Sequence, residues 1–127
     1  MDQKECGRIC DKIIGFSSYI RFAGVIGERG ELIAYARRKN LDPLLNSKDA
    51  HYQFSHIAMK TDLEAFFDKK LGKVEFVWEE REKVPTISFA INRHRIWISI
   101  DRMVVRSEVL RIIDACLPIA QKYSTPS

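Results

Sequence analysis

Between Lys73 and Asp101 apolar and polar side chains alternate through three successive segments, and on either side of that block apolar residues recur every third or fourth position. A period of two marks a half-buried strand and a period near 3.6 an amphipathic helix, so the block predicts a small antiparallel sheet dressed with helices. Strands are expected at about 73 to 81, 84 to 92 and 94 to 102. In the second and third, Ile87, Phe89, Ile91 and Ile96, Ile98, Ile100 form one bulky face, while Thr86, Ser88, Ala90 and Ser99 form a small one that admits a closely packed helix, Trp97 excepted.

The rest of the chain supplies a hairpin and three helices. Cys6, Ile9, Cys10, Ile13 and Ile14 predict a helix at 3 to 14, stopped by Gly15 to Ser18. Tyr19 to Ile26 alternates, with Ile20, Phe22, Gly24 and Ile26 on one face and Tyr19, Arg21, Ala23 and Val25 on the other. The Gly27 to Gly30 turn then leads into a paired strand at Glu31 to Arg37. A connection containing Asp42 and Pro43 ends at Asn46 or Ser47, either of which caps the next helix. The last helix, 104 to 122, turns Val109, Ile112, Ile113, Cys116 and Ala120 inward, and Pro118 is expected to kink or end it.

The segment 47 to 71 has two phases. Ala50, Phe54, Ile57 and Ala58 share one helical face, whereas Tyr52, Met59, Leu63 and Phe66 lie nearly opposite. Either the helix breaks near Lys60, where Thr61 and Glu64 have capping-box spacing and the second half turns Leu63, Phe66 and Phe67 into the domain's own core, or one continuous helix carries a core face and a partner face.

Size and composition fit one domain over 1–123 with a frayed tail at 124–127: 127 residues, 46% hydrophobic, suffice to close a core. No apolar run approaches the roughly 20 residues that span a bilayer, and Met1 to Glu5 lacks the layout of a secretion signal, so the expected location is cytoplasmic, without membrane contact. Three cysteines, with Cys6 and Cys10 one helical turn apart, make a poor disulfide framework and suit a reducing compartment. They read as small buried hydrophobes; a thiolate metal site from Cys6, Cys10 and Cys116 would lack a fourth ligand. The net charge of +4 gathers at Arg37-Arg38-Lys39, Lys69-Lys70-Lys73 and Arg93-His94-Arg95, which are mainly solvated cations at element ends; Arg37, Arg38, Lys39, Arg93 and Arg95 are the candidates for contact with an anionic partner.

The order helix, hairpin, long helix, three-strand meander, helix, with Phe22-Ala23-Gly24-Val25-Ile26 followed by Gly30-Glu31-Leu32-Ile33-Ala34, resembles the roadblock (dynein light-chain) domain within the profilin-like and longin-like group. The chain also resembles small archaeal proteins of this general shape, from which no activity carries over. The roadblock resemblance covers nearly the whole chain. It implies an α+β fold: a single five-stranded antiparallel sheet with the middle helix on one face and the terminal helices on the other. It further implies a homodimer through the middle helix and the third strand, and a role as adaptor or regulator of a small GTPase. The chain departs from the family pattern at Thr61-Asp62 and in the charges Glu75, Glu79, Glu80 and Arg81.

A search for chemistry finds no nucleophile elbow, phosphate loop, dinucleotide fingerprint or paired zinc-ligand spacing. His51 and His56, five apart, do not share a helical face. His94 falls in a turn, and Glu79, Glu80 and Glu82 read as a solvated edge. No catalytic residue or cofactor is nominated. The leading expectation is a non-enzymatic interaction module dimerising over Tyr52, Met59, Leu63, Phe66, Glu75 and Val77. The alternatives are a PAS-like or GAF-like small-molecule sensor lined by Phe22, Phe76, Trp78 and Phe89, and a weak nucleic-acid binder using the basic turns with Trp97 as a stacking surface.

Overall fold

Asp2 opens the first helix, its carboxylate accepting the Glu5 backbone N–H at 2.8 Å, and from there Cys6, Ile9, Cys10 and Ile13 wind onto one buried stripe. This and all later geometry come from a computed structural model that describes residues 2–39 and 45–124. The helix, α1, is Gln3–Ile14. It is followed by β1 (Ile20–Ile26), β2 (Leu32–Arg37), α2 (Ser47–Ala65), the single turn α3 (Asp68–Leu71), β3 (Val77–Glu79), β4 (Thr86–Ile91), β5 (His94–Ile100) and α4 (Arg106–Tyr123). The expected Asp42-Pro43 connection and the tail beyond Ser124 lie outside the described residues.

The strands form one antiparallel sheet in the order β2-β1-β5-β4-β3. Pairing β1 with β5 puts the two ends of the chain's strand order side by side in the middle of the sheet. The centre is therefore the most apolar part: Ile87, Phe89, Ile91, Ile96, Ile98 and Ile100 are all fully buried. They face α1 and α4, whose Cys6, Ile9, Cys10, Ile13, Val109, Ile112, Ile113 and Cys116 complete the main core. The opposite face of the sheet meets α2 in a smaller cluster of Ile26, Phe54 and Ile57, edged by Phe22, Ala50 and Trp97. The antiparallel sheet dressed with helices is as the alternation implied, and the middle helix on one side with the terminal helices on the other is as the roadblock resemblance implied.

Four expectations need correction. Ile20 packs with Ala23 and Val25 in the main core, not with Phe22 and Ile26, because the β1–β5 register slips between Ile20 and Phe22; an irregularity of one residue flips a side chain across the sheet. The third strand holds only Val77–Glu79, facing Thr86 to Ser88 of β4. Residues 73–76 precede the ladder, although Phe76 still meets the Phe89 ring at 6.3 Å. Alternation reports which face a side chain takes; it does not supply a hydrogen-bonding neighbour.

Pro118 does not end α4, which runs on to Tyr123 and closes with Ser124 donating to the Ala120 carbonyl. The proline is exposed, on the outer side of the helix, while buried Ile119 and Ala120 hold the final turn to the core. Finally, α2 does not break at Lys60. The Thr61 hydroxyl donates back to the Ile57 carbonyl at 2.8 Å instead of capping a new helix, and Glu64 reaches the sheet instead of the backbone. The helix ends only at Ala65, with Phe66 as its C-cap, and α3 starts at Asp68.

Candidate protein-interaction face

Unbroken, α2 presents two faces. Asn46 starts it by accepting the Asp49 N–H at 2.8 Å. Its inner face carries Phe54, Ile57 and Ala58 onto the sheet, where Phe54 meets Phe22 at 6.4 Å and Trp97 edge-on at 5.7 Å. Its outer face carries Tyr52, Met59, Leu63 and Phe66, from 62% to 86% exposed. Phe67 and Leu71 extend this apolar surface past the helix end, at 60% and 80%. Phe66 and Phe67 are therefore surface residues, contrary to the broken-helix reading.

Two ion pairs fix the C-terminal half of α2 to the sheet. Arg95, on the small face of β5, is only 4% exposed; its Nη2 donates to Glu64 Oε2 at 2.7 Å and its Nη1 to Ser88 Oγ at 3.1 Å. Such a charge-assisted pair in a nearly dry setting is tolerable only with both partners present, and here Arg95 Nε is left without a hydrogen bond among the described residues. Lys60 Nζ lies 3.3 Å from Glu79 of β3, a half-exposed contact of small energetic weight that ties the helix to the sheet edge. The outer stripe is therefore held in place beside β3. That strand is bonded to β4 on one side only; Val77 is half-buried there, and Glu75 is exposed in the segment leading into it.

The basic candidates do not form one patch. Arg95 is interior, as described. Arg38 is consumed structurally, its guanidinium donating to the carbonyls of Ile20, Ile14 and Ser17. Arg37 lies opposite Phe22, whereas Arg93 follows the other end of the sheet, beyond the Ile26–Arg95 pairing, and sits 3.5 Å from Glu28. Lys39 is exposed. The aromatic quartet expected to line a sensor cavity is likewise split: Trp78 and Phe89 belong to the main core and Phe76 packs on Phe89, while Phe22 lies across the sheet.

Arg38 has a counterpart in Arg111, which donates to both carboxylate oxygens of Glu108 and to the Phe16 carbonyl, while the Ser17 hydroxyl donates to Glu108 at 2.7 Å. The Arg111 guanidinium, with Ser17 second, pulls the Glu108 carboxyl down to about 2. Together the two arginines pin the α1–β1 connection. Burial pushes the thiols of Cys10 and Cys116 up to about 12 and raises that of Cys6, so none is a poised nucleophile. Among the described residues no group of three His, Cys, Asp or Glu side chains is placed to hold a metal ion, and no helix is long and apolar enough to cross a membrane.

A five-stranded sheet with one long helix on one face and two terminal helices on the other defines the roadblock and profilin-like class, and solved structures of that class superpose on nearly the whole chain. The gliding protein MglB of Thermus thermophilus matches with a TM-score of 0.67 at 13% identity, covering 94% of this chain and 91% of its own. The Roadblock/LC7 domain of Streptomyces avermitilis matches at 0.64 and 9%, covering 92% and 95%. A Schizosaccharomyces pombe profilin matches at 0.62 and 12%, covering 92% and 97%. Within this class the chain belongs to a family of unknown function, DUF6659, whose profile it matches over residues 1–117. No curated protein sequence is significantly similar to it.

Proposed function

We propose that this protein is a non-enzymatic interaction module, a roadblock-like adaptor or regulator of a small GTPase that works as a homodimer in the cytoplasm. The observation that carries the reading is the outer stripe of α2: four large apolar side chains, Tyr52, Met59, Leu63 and Phe66, on a helix whose inner face is already committed to the core. Contiguous apolar surface of this kind marks an association site. Burying three such side chains contributes roughly 5 to 8 kcal/mol before association costs, enough to matter at cellular concentrations. The proposed interface also takes in Glu75 and Val77, at the sheet edge to which Lys60 ties the helix. A related MglB solved with a tetrameric arrangement supports a self-associating scaffold. The GTPase arm rests on the roadblock resemblance.

The test is surface plasmon resonance between the purified protein and the small GTPases of its own organism, each loaded with GDP or a non-hydrolysable GTP analogue. Binding that differs at least tenfold between the two nucleotide states is expected. No binding in either state would remove the GTPase arm.

A further inference from the structure

We propose that the α2-side face of the sheet carries a binding site for a small planar aromatic carboxylate, independent of how the outer stripe of α2 is covered. An open groove of about 740 Å³ lies between the N-terminal half of α2 and the sheet, within the size range of small-molecule sites. Its floor follows one row across the sheet: Arg37 of β2 stands opposite Phe22 of β1, Phe22 opposite Ser99 of β5, and Ser99 opposite Thr86 of β4. The last two are small hydroxyl residues, which give the groove its depth.

The walls are aromatic and oriented. Tyr35 and Phe22 stack at 5.7 Å with only 11° between their planes, and Trp97 meets Phe22 edge-on at 5.8 Å. Tyr35 is 56% exposed, so much of its surface is accessible to a ligand. The Arg37 guanidinium carbon lies 5.7 Å from the Tyr35 ring centroid and 5.8 Å from that of Phe22, and among the described residues no carboxylate is within ion-pair distance of it. A cation parked over two rings, with its fork of donors unclaimed among the described residues, matches an acid group attached to a flat apolar body: the ring extends the Tyr35–Phe22 pair and the carboxylate takes the guanidinium bidentately. The one carboxylate among the described lining residues, Glu31, stands at the far, turn end, where it opposes an anion and so orients the acid toward Arg37.

Titration of isotope-labelled protein with 2-naphthoate and with its neutral counterpart 2-naphthamide, followed by amide and indole chemical shifts, tests the site. The expected result is shifts centred on Phe22, Tyr35 and Trp97, with the acid bound at least tenfold more tightly than the amide. Arg37→Gln, at an exposed position, should erase that difference, while Leu63→Ser, on the outer stripe of α2, should leave it unchanged. Equal affinity for acid and amide, shifts centred on Leu63 and Phe66, or no shift at millimolar ligand would each overturn the proposal without bearing on the dimer.

Discussion

At the scale of single residues, charge proves to be the least legible property of this sequence. Arg38 and Arg95 stand in basic runs that read as solvated surface, yet one is spent on three backbone carbonyls and the other is buried against Glu64. Nothing in the spacing of a cationic run says whether a guanidinium will meet water or a carboxylate thirty-one residues away. The consequence for Arg95 is measurable: Glu64→Ala strands a buried cation and should cost about 3 to 5 kcal/mol in urea unfolding, far more than loss of a surface pair. Glu108 gives a pH signature. Its folded carboxyl titrates near 2 against an ordinary 4.5, so the stability it contributes is complete above about pH 4.5 and is lost as pH falls through 2. Acid unfolding of the wild type should steepen across that window, and Glu108→Gln should remove the steepening.

At the scale of elements, periodicity is a strong guide to faces and a weak guide to ends. The buried isoleucines of β4 and β5, the stripe of α1 and the inner face of α4 are read directly from side-chain spacing, because burial depends on direction, and direction follows the backbone repeat. The ends depend on what lies alongside: β3 is short because its ladder is short, and α2 continues through Thr61 because that hydroxyl bonds back to Ile57. The β1–β2 turn shows local and tertiary demands coinciding. Gly30 has a φ of 83°, and a Cβ there would stand 2.8 Å from Ser55 Cα of α2. Gly30→Ala should therefore destabilise by more than the ~1 kcal/mol ordinarily lost at a left-handed site, because the helix must also shift, and denaturant titration with a loss below ~1 kcal/mol would show that the helix yields freely.

At the scale of the whole molecule, the two sides of the sheet are unequal. Among the described residues the α1 and α4 side holds a closed apolar core of nineteen buried residues, whereas the α2 side holds an apolar cluster of three, an open groove and a helix whose outward stripe is as apolar as its inward one. That asymmetry was half visible beforehand: the second stripe of α2 stood out in the sequence, but only the unbroken helix shows that Leu63 and Phe66 are not drawn into the protomer's own core. The imbalance is the physical basis for proposing that the α2 side serves association. Sedimentation equilibrium across 1 to 100 micromolar protein is the most direct test. A particle of twice the 14.8-kDa protomer, converted to monomer by Leu63→Glu with the circular dichroism spectrum unchanged, is the predicted outcome. A strict monomer throughout that range would contradict it.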